Sequence, residues 1–446
     1  MVFEQRREET VVRHNRHWTR RVARRRFLGL LGAGAAAFAA ACGGGGEEKA
    51  KSTAAPAGGA GSPAAGQATA PARQLSAVKV GGFIDRSGAT ANVGNSLGDG
   101  AKDWVELANA QNLVGRRVEW IEYDHSYEVP KAEQGYKKFI DQDKVVAIQS
   151  YGTPITNALA PKAADDRVPL FTPGYGISEV ENGAKYPYAF VGVASYHSQA
   201  MALLGHFKET WKDTSRKAKV IYMYYDNAAG QDPLELIKAQ APKLGLDLLT
   251  TIAVPPAATD LSQNLLEVKN RDPDFLLTHF FGTHPALSIK AAAQVGFPVN
   301  RMYSMVWGIG EPDIEVAGAA AEGYHGLQFV AVKEDNPQAL QMLREYWQKT
   351  GKTVDEKKIG VYYLRGVYTA ALILEAIRLA GDKDKLTGED VKKGTESIKD
   401  FTAYGLSPGT TITPQDHAGS RKVRLYQVKN GKLTLERDWF EGPKPS

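Results

Sequence analysis

The sequence predicts an α/β protein with two lobes, each built on a parallel sheet. Three observations carry this. From Ala77 onward, short β-rich runs alternate with amphipathic stretches of helical length, the pattern of parallel strands covered on both faces by helices. The alternation pauses across Gly174 to Tyr196, after four strand–helix units, and then restarts with four more. Residues 75–446, 372 in all, are enough for two cores of ordinary domain size.

Taken in order, the predicted strands of the first half are Val78–Ile84, Val118–Tyr123, Val145–Ser150 and Val168–Thr172, with helices over Gly94–Ala110, Pro130–Asp141 and Ile155–Asp166. The second half repeats the rhythm. Its strands are Lys219–Tyr225, Leu246–Val254, Phe275–Phe280 and Arg301–Met305, and its helices are His197–Lys212, Pro233–Leu244, Leu261–Asn270 and Pro285–Val295. Two long helical patterns follow, Pro337–Thr350 and Val361–Ala380. A β-rich tail closes the chain, with Val423–Val428 and Leu433–Arg437 joined at the hairpin signal Lys429-Asn430-Gly431-Lys432. In open α/β sheets ligands bind beyond the carboxyl ends of the strands, where loops lead into helix amino ends.

Ahead of this body, residues 1–41 hold nine Arg and no Lys against three Glu. Removing them turns the formal +5 of the whole chain into 46 basic against 47 acidic residues, so no basic face for nucleic acid is implied. Arg24-Arg25-Arg26-Phe27-Leu28 reads as the core of a twin-arginine export signal. The apolar run from Phe27 to Ala41 is shorter than the roughly 20 residues a membrane span needs. The small residues before Cys42 and the glycines after it resemble the lipobox of bacterial lipoproteins, in which the cysteine is lipidated and becomes the new amino terminus. Residues 42–74 are dominated by Ala, Gly, Pro, Ser and Thr and cannot bury enough surface to fold, so they are expected to form a disordered tether. Cys42 is the chain's one cysteine; no disulfide, thiolate metal site or thiol nucleophile is left to the body.

Several stretches of the body together resemble the substrate-binding proteins of ABC importers, in the branched-chain (Leu/Ile/Val) amino acid group of type I periplasmic binding proteins. They are Gly81-Gly82-Phe83-Ile84 with Ser87-Gly88 and Gly94, Leu113-Val114-Gly115-Arg116 with Tyr123-Asp124 and Pro130, and Lys144 to Ile148 with Tyr151-Gly152-Thr153. Further along come Val168-Pro169 with Thr172-Pro173-Gly174, Phe280 to Pro285, and Ala321-Glu322-Gly323. The resemblance implies two Rossmann-like parallel-sheet lobes joined by a three-crossing hinge, closing on a small ligand. One lobe would use 75–195 plus 331–408 and the other 196–330 plus 409–446, with crossings near Ser195, Val330 and Ser407. No cofactor is implied. The expected partners are a small amino acid or related amide or aromatic carboxylate, a membrane permease and the lipid at Cys42. The expected state is an extracytoplasmic, lipid-anchored monomer.

The same resemblance places the ligand carboxylate on hydroxyls and backbone N–H groups at a helix start, which points to Tyr151-Gly152-Thr153. Thr153 could equally serve only as the cap of its helix. Gly174-Tyr175-Gly176 falls at the second cleft loop, where glycines allow close backbone approach. From the other lobe Tyr225, Thr283 and Trp307 end strands or open loops facing the cleft, so the pocket should be aromatic. His284, before Pro285 at a helix start, reads as structural and not as a metal ligand. Amino acid binders of the family hold the ligand ammonium with a second-lobe carboxylate, and at that place this chain has Val306-Trp307-Gly308-Ile309-Gly310. Glu311 could substitute only if the loop is realigned. A secreted α/β enzyme is the alternative, but no G-x-S-x-G elbow, Walker loop or H-E-x-x-H is present. A sensory ligand-binding protein of the same fold is a third reading, one that expects an attached output domain or partner.

Overall fold

The computed structural model describes residues 75–446; the export signal of 1–41, the tether of 42–74 and Cys42 lie outside the described residues. The first sheet is built from β1 (Val78–Ile84), β2 (Val118–Asp124), β3 (Ala147–Gln149), β4 (Leu170–Phe171) and β5 (Ala189–Phe190), in the order β2-β1-β3-β4-β5 with every pair parallel. The helices between these strands are α1 (Ala91–Ala110), α2 (Val129–Lys138) and α3 (Thr153–Asp166). The second sheet has seven strands: β6 (Lys219–Tyr225), β7 (Asp247–Val254), β8 (Phe275–His279), β9 (Met302–Ser304), β10 (His325–Gln328), β11 (Val423–Lys429) and β12 (Lys432–Phe440). Their order is β12-β11-β10-β9-β8-β6-β7, parallel except for the β10–β11 and β11–β12 pairs. Helices α4 (Tyr196–Thr210), α5 (Ala228–Gln231), α6 (Leu234–Lys243), α7 (Ser262–Arg271), α8 (His284–Val295) and α9 (Glu311–Ala317) accompany it.

After β10 the chain returns to the first sheet as α10 (Gln338–Thr350), α11 (Val361–Leu379) and α12 (Gly388–Thr395), then comes back to supply β11 and β12. Helix α11 is buried over 16 of its 19 residues, which accounts for its near-continuous apolar sequence. It lies against α1 at very short range, and two glycines allow this. A Cβ on Gly100 would run into the Tyr363 carbonyl and one on Gly366 into the Leu97 carbonyl.

Strands β1 and β6 begin and end where the sequence predicts. The edges differ. β3 and β4 are shorter than expected, and the pause across Gly174–Tyr196 holds a further short strand, β5, hydrogen-bonded at the sheet edge. β10 was not foreseen, because His325-Gly326-Leu327-Gln328 has little strand propensity of its own; it is held between β9 and β11 by pairing on both sides. The predicted helix over Pro130–Asp141 stays regular only to Lys138 and widens over Phe139–Asp143, ending where Lys144 turns left-handed at φ 56°. The tail hairpin turns at Asn430 and Gly431, both with positive φ, as its Asn-Gly signal predicts.

Candidate functional site

The carboxyl ends of β1, β3 and β4 and the loops of the second sheet meet around one small cavity. Each wall is positioned by backbone chemistry. After β1, the fully buried Asp85 accepts hydrogen bonds from the Gly88 N–H (2.5 Å), the Thr90 N–H (2.8 Å) and the Thr90 hydroxyl (2.7 Å). This locks the loop that leads into α1 and brings Thr90 and Val93 to the cavity. After β3, Gly152 turns at φ 86°, where a Cβ would also stand 2.6 Å from the Tyr127 ring. Tyr151, Gly152 and Thr153 therefore enter the cavity just as α3 begins.

Thr153 is the first residue of α3, with Pro154 beside it, and its side chain does not cap the helix. Its hydroxyl instead lies 3.2 Å from the Tyr196 hydroxyl and accepts the Gly176 N–H at 3.3 Å. The N–H groups of Gly152 and Thr153 meet no acceptor among the described residues. A helix amino end with free amides carries a partial positive charge and suits an anion or a carbonyl oxygen.

Tyr175 lines the same space, and its hydroxyl donates to the Ser150 carbonyl. Gly174 and Gly176 frame it at φ 73° and 95° and act through the backbone: the Gly174 carbonyl accepts the Trp307 indole N–H at 2.9 Å. Trp307 thus closes the cavity from the second sheet and ties the two sides together. Its ring centre is 5.6 Å from that of Tyr175. Tyr196 and Phe281 complete this wall. Tyr225 stands behind the wall, stacked on Phe281 at 4.5 Å and hydrogen-bonded to His284 Nδ1 at 2.9 Å. His284 is buried and engaged in that bond. Thr283 is exposed at the start of α8 and takes no part in the lining.

Sequence reasoning missed Thr90, Val93, Tyr127, Tyr196 and Phe281. Signals existed for most of them. Thr90 and Val93 fall between the quoted Gly88 and Gly94, Tyr196 follows the expected crossing at Ser195, and Phe281 sits within the quoted Phe280–Pro285 stretch. Tyr127 had no signal: it reaches the cavity from a loop in which Ser126 and Tyr127 both take positive φ. Its hydroxyl meets no partner among the described residues.

The cavity lining contains no charged side chain. Asp85, the carboxylate beside Thr90, has both oxygens occupied by the loop it locks. Glu311 is elsewhere. It opens α9, and its Oε2 accepts the Val361 N–H at 2.8 Å, capping the buried helix α11. The free volume of the cavity is about 30 Å³, room for about two waters. A ligand of several carbon atoms therefore requires the walls to part.

Behind Trp307 the chemistry changes. The Arg365 guanidinium lies 4.4 Å from the indole centroid and 4.8 Å from that of Phe329. It is fully buried, donates to the Val306 carbonyl at 2.5 Å and to Gln328, and leaves Nε and Nη1 unpaired. Burial lowers its pKa to about 10, which leaves it charged at neutral pH. Tyr362, stacked parallel to the indole at 6.2 Å, points its hydroxyl at Asp313.

A sequence profile of the periplasmic binding protein family matches residues 77–432. No relative matches among curated protein sequences. Among solved structures, one from the Pseudomonas fluorescens group, described as an ABC transporter permease, is 27% identical over 84% of this chain and 93% of its own, with a TM-score of 0.75. A branched-chain amino acid ABC transporter protein of Thermus thermophilus with bound valine is 22% identical over 82% and 97%, with a TM-score of 0.74. A solute-binding protein of R. palustris in complex with 4-hydroxybenzoate is 20% identical over 82% and 98%, with a TM-score of 0.68. With two parallel-dominated sheets, a cavity between their carboxyl ends and a family match running nearly the length of the described chain, the protein belongs to the periplasmic binding protein family.

Proposed function

We propose that this solute-binding protein is the extracytoplasmic receptor of an ABC importer and that it captures a carboxylate or amide with an apolar, aromatic-compatible body. The observation that carries the reading is the composition of the cavity: aromatic walls, uncharged hydroxyls and one helix amino end, with no carboxylate on the lining. An ammonium buried there would have no counter-charge, a costly arrangement. The α3 amides of Gly152 and Thr153 and the Thr153 hydroxyl would hold the carboxylate or carbonyl. Tyr151, Tyr175, Phe281 and Trp307 would enclose the body, and the Tyr127 hydroxyl is free to meet a second polar group. 4-Hydroxybenzoate, carried by one neighbour of the same fold, is a carboxylate on an aromatic ring and has the chemistry that suits this cavity. The function is binding and closure, without covalent chemistry.

The lobes would move about crossings near Ser195, Val330 and Ser407, and the chain would be held at a membrane through lipid on Cys42. Small-angle scattering with a saturating ligand should give a smaller radius of gyration than the open form. Cys42→Ala should be released from membranes; a variant that stays membrane-bound although its signal is cleaved refutes the anchor. The ligand class is tested by thermal shift of residues 75–446 against amino acids, amides and aromatic acids, because a ligand that binds the folded state alone raises the melting temperature. Stabilisation by amino acids only, with none by their des-amino analogues, would defeat the reading.

A further inference from the structure

We propose that Asp313, Tyr362 and the Trp307 carbonyl form a proton-linked latch between the lobes: the cleft closes with Asp313 protonated, so closing takes up a proton and ligand is held more tightly at lower pH. The inference rests on the proposed function in one respect, that closure accompanies ligand capture.

The geometry makes the case. The Tyr362 hydroxyl oxygen lies 2.6 Å from Asp313 Oδ2 and 3.1 Å from the Trp307 carbonyl oxygen. A phenol has one hydrogen to give, and a backbone carbonyl can only accept. If Asp313 is ionised, one of the two contacts is a pair of acceptors facing each other in a buried site. If Asp313 is protonated, it donates to Tyr362, Tyr362 donates to the carbonyl, and both contacts are filled. An unmet contact at this depth is expensive: Tyr362 is 1% exposed and Asp313 3%.

The latch joins the two sides of the cleft. Tyr362 belongs to α11, which packs on α1 of the first sheet, while Trp307 and Asp313 lie on the second-sheet side. The titratable and charged groups that face Asp313 are Tyr362 and Arg365 from α11, Glu311 from its own helix, and Tyr324 ahead of β10. Arg365, whose bonds go to Val306 and Gln328, favours the charged carboxyl only through space, and the Tyr362 hydroxyl and the Gly310 N–H favour it by hydrogen bonding. Burial outweighs these neighbours and pushes the Asp313 carboxyl up to about 7. In an open cleft, parted from Tyr362 and hydrated, Asp313 returns toward the ordinary carboxylate range. The closed form therefore binds the extra proton between those two values, and closure weakens as pH rises through about 7.

The first arm of the test needs no ligand: small-angle scattering of the body at about pH 8.5, 7 and 5.5. The wild type should become more compact as pH falls. Asp313→Asn, which keeps a hydrogen for Tyr362 and has no charge to titrate, should be compact and insensitive to pH. Tyr362→Phe leaves the ring in place and takes away a bond that favours the ionised carboxyl; it should keep the response to pH and serves if the first variant does not fold. A flat wild-type profile, an Asp313→Asn variant that keeps the response, or a Tyr362→Phe variant that loses it would overturn the latch. The second arm is calorimetry with leucine and with 4-hydroxybenzoate in two buffers of different ionisation enthalpy. At about pH 6, binding should take up a proton in the wild type and none in Asp313→Asn, and wild-type affinity should fall by up to about tenfold per pH unit as pH rises toward about 7 and level off above it. Binding heats that do not depend on the buffer would count against the latch. If neither probe gives heat, the ligand reading suffers, and scattering alone decides the latch.

Discussion

The two faces of the Trp307 indole look onto different chemistry. In front is a cavity of rings and hydroxyls with no charge on its lining; behind are Arg365, Tyr362 and Asp313, all buried, with Glu311 capping α11 beside them. Both regions join the lobes, so the difference is not one of location. The front offers burial of apolar surface and a helix amino end. The back offers bonds that form only when an α11 residue meets a second-sheet residue. Around this indole the charged side chains lie behind it, bonded to backbone and polar groups of the other side, and the front carries only rings, small side chains and neutral donors. An ionic group on the ligand then has one natural place, the amino end of α3.

The largest expected effect comes from removing the divider. Trp307→Ala deletes the front wall, the bond to the Gly174 carbonyl and the ring that Arg365 rests on. A central buried Trp of this kind is worth roughly 2–4 kcal/mol. Affinity for 4-hydroxybenzoate by calorimetry should therefore fall by about thirtyfold or more, and the effect on small aliphatic ligands should be less. Affinity unchanged in this variant would mean that the indole is not the boundary described.

Within the front region, Thr153→Val keeps the size of the side chain and removes the hydroxyl shared between Tyr196 and Gly176. The cost in binding should be about 1–3 kcal/mol if a ligand acceptor loses its donor. A sharper probe leaves the protein unchanged. Leucine and its des-amino analogue differ by one ammonium, and with no lining carboxylate they should bind within about tenfold of each other. Leucine tighter by a hundredfold would require an acid to reach the cavity and would erase the contrast between front and back.

The front region was largely legible in the sequence and the back was not, for a physical reason. Tyr151, Gly152, Thr153 and Tyr175 lie directly after strand ends, and a parallel sheet delivers such residues to one edge whatever the side-chain detail. Trp307 was found the same way, past β9. Tyr225 also ends a strand, yet it serves the wall from behind Phe281, because position along the chain does not say which of two adjacent rings faces inward. The latch residues come from the middle of an apolar helix and from a seven-residue helix, α9, too short to predict. Arg365 reads from sequence as a break in the apolar run Val361–Leu379. That it stacks on an indole from the other lobe depends on how helix and loop meet, which no local pattern encodes. Glu311 shows the converse: the sequence offered it as a ligand group, and the fold uses it as a helix cap.

The smallest expected effects lie at the edge of the front region and measure how sharply it ends. Tyr225→Phe keeps the ring stacked on Phe281 and loses only the bond to His284. Stability should drop by about 1 kcal/mol, read as a lower melting temperature, with ligand affinity unchanged. Thr283→Ala should do less still. Its side chain is exposed and makes no capping bond to α8, and surface substitutions of this kind usually stay within about 0.5 kcal/mol. Affinity and melting temperature should both match the wild type. The two residues flank Phe281 and His284 in the fold, so the pair maps the boundary: a binding defect in Tyr225→Phe would bring the layer behind Phe281 into contact with ligand. One in Thr283→Ala would mean that the α8 loop folds inward when the cleft closes on its ligand, and the cavity walls described here would then be incomplete on the second-lobe side.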